Sequence, residues 1–128
     1  MTFFEILYAV LIMTSTPTIL KGTAPNRPVW NGIASYYSES GCIGCSPTLT
    51  MANGKRLDDT KPTIAFNKLP LGAFVEVTNV SNGQAVTVEV SDTGGFESLG
   101  RIADLSLATK NVISCSDLCE VRIKEIKK

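Results

Sequence analysis

Residues 73–91 read AFVEVTNVSNGQAVTVEVS. Two runs rich in β-branched residues, Ala73 to Val80 and Ala85 to Ser91, alternate apolar and polar side chains for part of their length. That period of two is the mark of strands with one buried face. Ser81-Asn82-Gly83 lies between them and supplies a turn, so the stretch reads as a β-hairpin. Working outward, Val121 to Ile126 (VRIKEI) alternates too and closes the chain as a strand. Upstream, Trp30 to Tyr37 and the shorter Thr63 to Phe66 are further strand candidates. One helix is expected, over Ser106 to Val112, with Ser106 as its N-cap. Several short strands, close turns and one short helix point to a small closed β-barrel. Periodicity does not choose among barrel topologies.

The chain has 128 residues, one domain's worth, and at that size a fold hides roughly two thirds of its extended surface. Twelve basic and twelve acidic residues balance, with no Lys/Arg block, so a nucleic-acid groove is excluded. There is no histidine. That removes Ser-His-Asp and Cys-His catalysis and any imidazole base or zinc ligand. Chemistry here runs on carboxylates, cysteines, lysines or backbone groups.

Residues 1–28 form a separate segment. Phe3 to Met13 is mostly apolar, the length of a signal-peptide core and too short to cross a bilayer. Glu5 interrupts it, and no Lys or Arg precedes it. A secretory signal and an apolar anchoring helix that meets a partner or a membrane surface are both open. Lys21 to Pro28 reads as a linker into a domain spanning residues 29–128.

Four cysteines form two tight pairs, Cys42 with Cys45 and Cys115 with Cys119. One pair comes after the first strand and the other precedes the last. If those strands are neighbours, all four thiols converge. Structural disulfides of an exported protein, a four-cysteine zinc site and free thiols are the three readings. A structural staple is the preferred one.

Two aspartates stand out. Asp92 ends a strand before Thr93-Gly94-Gly95-Phe96, and Asp104 precedes the helix in Gly100-Arg101-Ile102-Ala103-Asp104-Leu105-Ser106. Strand ends and the approaches to helices are where a barrel offers polar groups to a cleft. Turn formation and helix capping are the ordinary alternatives.

These motifs come in an ordered series: Gly32-Ile33-Ala34-Ser35-Tyr36-Tyr37, Met51-Ala52-Asn53-Gly54, Leu69-Pro70-Leu71-Gly72-Ala73, Val75-Glu76-Val77-Thr78-Asn79, Asn82-Gly83, then the two aspartate motifs. The series resembles the double-psi β-barrel of the RlpA (rare lipoprotein A) family of septal-ring lytic transglycosylases, and more distantly the expansin barrel. The resemblance runs from about Trp30 to Ile126. It implies a six-stranded double-psi barrel with one or two short helices and a groove for peptidoglycan glycan strands. The implied reaction is non-hydrolytic cleavage between N-acetylmuramic acid and N-acetylglucosamine, without a cofactor. By the same resemblance Asp92 is the expected acid/base, with Asp104 positioning substrate or exchanging roles with it. Tyr36, Tyr37, Asn53, Lys55, Thr93 and Arg101 are candidate glycan contacts, and Trp30 is a further stacking candidate. Two departures stand against catalysis: the family's glutamate after Asn-Gly is Lys55 here, and its histidine before Leu-Pro is Phe66. A glycan-gripping module of expansin type is therefore the alternative. A structural part of a larger assembly, such as a phage tail held through Phe3 to Met13, is the third. The first two imply an exported, periplasmic or cell-envelope protein, and the third a virion.

Overall fold

A computed structural model describes residues 27–42 and 45–127. The expectations for Phe3 to Met13 and for most of the Lys21 to Pro28 linker lie outside the described residues. Among the described residues there are six strands: β1 (Val29–Tyr37), β2 (Thr63–Phe66), β3 (Phe74–Asn79), β4 (Ala85–Asp92), β5 (Arg101–Ser106) and β6 (Cys119–Ile126). A 3-10 turn (Phe96–Leu99) precedes β5, and helix α1 (Leu107–Val112) comes after it. The strands close in the order β1-β5-β2-β4-β3-β6, with β1–β5 and β2–β4 parallel and the other pairs antiparallel.

The hairpin forms as its alternation requires. Val75 and Val77 of β3 and Val88 and Val90 of β4 fill the barrel interior. Gly83 takes a left-handed φ of 76° at the turn, where a side chain would be strained. Ile64, Phe66, Leu105, Val121 and Ile123 complete the interior, all of them without exposed surface. Each such side chain contributes about 1.5–3 kcal/mol through burial. Ser106 caps α1 as expected, its hydroxyl oxygen accepting from the Thr109 N–H at 3.3 Å.

Asn79 is a polar residue buried at the end of the barrel, 3% exposed. Its side-chain amide donates to the carbonyls of Ile113 and Ser114, and its oxygen accepts from Ser81 N–H. It ties the hairpin turn to the tight bend after α1, where Ser114 adopts a φ of 53°. Asn79→Ala removes the bonds to Ser114 and Ser81 and one of the two donors to the Ile113 carbonyl, which Asn82 still reaches at 3.1 Å, and is expected to cost about 1–2 kcal/mol in urea unfolding.

The cysteines close as two local disulfides, Cys42–Cys45 and Cys115–Cys119. β1 and β6 are indeed neighbours, pairing Ala34 with Cys119. Even so, the four thiols do not converge. Cys115 joins the main core, whereas Cys42 and Cys45 pack on a second cluster of Tyr37, Met51, Leu57, Ala65 and Phe96. Among the described residues no group of three or more histidine, cysteine or acidic side chains comes together to hold a metal. The four-cysteine zinc reading is thus corrected: each pair is too local to reach the other.

Candidate active site

Side chains on a strand alternate between faces, so the interior positions Val88 and Val90 would place Asp92 inside as well. It does not go there. In the β2–β4 pairing Ile64 faces Val90, but Ala65 faces Asp92, so Ser91 is an extra residue in β4. Such a bulge re-aims the next side chains along the strand. A second one lies in β5, where Ile33 faces Arg101 but Ala34 faces Ala103, leaving Ile102 extra. Ala103 and Leu105 point inward, and the bulge turns Arg101 outward beside Asp104. Gly32 makes room for it. A Cβ there would lie 2.6 Å from the Ile102 side chain.

The two bulges set four residues in one row across four strands. Ser35 of β1 pairs with Asp104 of β5, Asp104 with Ala65 of β2, and Ala65 with Asp92 of β4. Two strand spacings put the backbones of Asp92 and Asp104 about 10 Å apart, with only a methyl group between them. The row floors an open groove of about 480 Å³, walled in part by Tyr36, the Cys42–Cys45 disulfide and the Thr93–Phe96 segment.

Asp92 is held on both oxygens. Oδ1 accepts from the backbone N–H groups of Ala52 and Thr93, each at 2.9 Å, and Oδ2 accepts from the Tyr37 hydroxyl at 3.1 Å. Asp104 is held differently: Ser35 Oγ donates to its Oδ1, and Arg101 Nη1 donates to Ser35 Oγ at 3.1 Å. Burial above all, then the Asp92 charge and hydrogen bond, then Asp104, push the Tyr37 phenol far above its ordinary range. At neutral pH the phenol keeps its proton. Below the ordinary tyrosine value of 10.0 it is neutral folded and unfolded alike; above it only the unfolded chain gives up the proton. Stability is therefore expected to fall with rising alkaline pH by about 1.4 kcal/mol per unit more in the wild type than in Tyr37→Phe. Thermal melts between pH 9 and 11 (about one unit either side of that value) check it.

Of the expected contacts, Tyr36, Tyr37, Thr93 and Arg101 line the groove with the two aspartates. Tyr37 is 6% exposed and serves through its hydroxyl, leaving little ring face for a sugar. Tyr36 carries Lys110 over its ring, 4.8 Å from the centroid. Asn53 and Lys55 are not in the lining. The Asn53 side chain caps its own turn, accepting from Lys55 N–H, and Lys55 is exposed. Trp30 stands edge-on to Phe66 at 5.1 Å, packed against the core rather than offered to a ligand. Phe66 points into the barrel, so its position gives the groove nothing. Asp104 lies in β5, and it is Ser106 that caps the helix. Sequence reasoning gave no role to Ser35, Ala65 or Asn67. Asn67 bonds Gly94 in both directions, at 2.7 and 3.1 Å, and so fixes the turn after Asp92. Ser35 sits within the first of the ordered motifs, but no pattern marks Ala65 as a floor.

A closed six-stranded barrel with two bulged parallel pairs and a carboxylate-floored groove is a double-psi β-barrel, and solved structures agree. The Streptomyces papain inhibitor superposes with a TM-score of 0.59 at 22% identity, covering 78% of this chain and 96% of that one. An expansin of Clavibacter michiganensis gives 0.57 at 17% identity, covering 79% and 52%. More particularly, the chain is an RlpA-like barrel. It is 37% identical over 100 residues to the probable endolytic peptidoglycan transglycosylase RlpA of a Nostoc species, covering 77% of this chain and 26% of that protein. It is 37% identical over 92 residues to the endolytic peptidoglycan transglycosylase RlpA of Yersinia pestis (72% and 24%), and 32% over 103 to that of Escherichia coli K12 (80% and 26%). The chain spans about a quarter of the length of these relatives. No family model matches it.

Proposed function

We propose that the groove binds peptidoglycan glycan strands and cleaves the bond between N-acetylmuramic acid and N-acetylglucosamine without water, at the envelope of the cell that exports the protein. The observation that carries this reading is the Ser35–Asp104–Ala65–Asp92 row, two carboxylates on one open floor with space for a sugar between them. The relatives named as peptidoglycan transglycosylases support the substrate class. Asp92, protonated, gives its proton to the glycosidic oxygen as the C1–O4 bond breaks. The carboxylate then takes the C6 hydroxyl proton as O6 bonds C1, closing a 1,6-anhydro ring. Asp92 ends protonated, as it began. Asp104, held by Ser35, which Arg101 holds in turn, faces the positive charge that develops at C1.

A second reading is glycan binding without cleavage. Lys55 outside the groove and Phe66 inside the barrel favour it, because neither position supplies a polar group to the site. Digestion of purified peptidoglycan with mass spectrometry of the soluble products separates the two. Anhydro-muropeptides establish the transglycosylase, and reducing ends point to hydrolysis instead. Retention on the glycan with no products leaves the binding module.

A further inference from the structure

The Tyr37 hydroxyl has one hydrogen and two acceptors within reach, Asp92 Oδ2 at 3.1 Å and Met51 Sδ at 3.8 Å. It can serve only one at a time. Tyr37 and Met51 are both buried, 6% and 8% exposed, so bulk water is a poor substitute for either bond. A carboxylate is the stronger acceptor and a thioether a weak one, while a phenol oxygen can also accept. We propose that Tyr37 and Met51 together form an exchangeable hydrogen-bond partner for Asp92. While Asp92 is ionised, the phenol donates to it. When Asp92 takes up a proton, the carboxyl donates to the phenol oxygen, and the phenol turns its hydrogen to Met51 Sδ. No covalent bond changes; one hydroxyl rotates.

The surroundings favour this exchange over a competing one. From β5, Asp104 and Arg101 face the groove, but both are engaged with Ser35. From β1 come Tyr37 and, beside it, Tyr36 under Lys110. The 38–61 segment gives Asp92 the Ala52 N–H, while its Glu39 and Arg56 pair with each other at the surface and Lys55 is exposed. From the 3-10 turn, Glu97 pairs with Lys68. On the proposed acid/base reading, on which the catalytic meaning rests, one carboxyl must visit both protonation states in each turnover. A permanent donor would satisfy only the ionised one. Tyr37 and Met51 are thus positioning residues for Asp92.

The test is NMR of the full chain carrying ¹³C-methyl methionine. The sequence has three methionines, and Met51→Leu identifies the Met51 signal by its loss. In the wild type that signal is expected to move in a single step when acid protonates Asp92. In Tyr37→Phe the step should lose most of its amplitude, and in Asp92→Asn the signal should stay at its acid position throughout. A Met51 signal that does not move in the wild type, or moves undiminished in Tyr37→Phe, overturns the proposal. Should Tyr37→Phe not fold, a Met51 step that persists in Asp92→Asn overturns it equally. The readout needs no turnover, so absence of anhydro products would sink the cleavage reading and leave this one standing.

Discussion

Asp92→Asn is expected to lower the release of anhydro-muropeptides by about 10²- to 10⁴-fold, the usual contribution of a positioned acid/base. Binding to peptidoglycan and the melting temperature should change little. The amide has the shape of the carboxylate, so its oxygen can keep the Ala52 and Thr93 N–H bonds that Asp92 Oδ1 accepts. Its NH₂ then donates to the Tyr37 oxygen, and the phenol hydrogen is taken by Met51. Every polar atom stays satisfied, and only the transferable proton is gone. Product mass spectrometry beside a pelleting assay makes the comparison. Undiminished turnover would pass the acid/base role to Asp104, whose Oδ1 has Ser35 as its donor.

Phe66→Ala is expected to carry the largest stability loss, about 3–5 kcal/mol. The ring is fully buried in the main core and takes the edge of Trp30 at 5.1 Å. Truncation leaves a cavity that the barrel wall cannot close, because β2 is hydrogen-bonded on both sides, to β4 and to β5. Urea unfolding, read as the shift in midpoint at constant slope, measures it. A loss below about 1 kcal/mol would mean that the ring is not inside the barrel. The same packing gives a physical reason for phenylalanine where relatives are expected to carry histidine. An imidazole there would be enclosed by hydrocarbon.

Much of the fold was legible because it obeys simple periods. The 73–91 hairpin, the 121–126 strand and the Ser106 cap each rest on local side-chain chemistry, and each forms as expected. β5 was not legible as a strand. Arg101 to Ser106 mixes charged and apolar residues, and its bulge breaks the alternation after the first position. The site was half legible. Motif order brought out Asp92, Asp104, Tyr36, Tyr37, Thr93 and Arg101, all of which meet in the groove. Asn53 and Lys55, from the same series, and Trp30, a stacking candidate, do not meet there, because neither motif position nor residue type says which way a side chain points. Only pairing register shows that one extra residue in each of β4 and β5 turns the strand over.

The row that floors the groove also governs when the site exists during folding. Its neighbours come from distant parts of the chain; Ser35 and Asp104, for example, are 69 residues apart. Contacts of that separation are late and slow to form, since loop closure must precede any gain from them. The β3–β4 hairpin carries only Asp92, and both carboxylates reach one floor only when β2 is paired between β4 and β5. The site comes into being only when those non-local pairs form and β1 adds Ser35, so its chemistry stays silent in a chain folded no further than the hairpin.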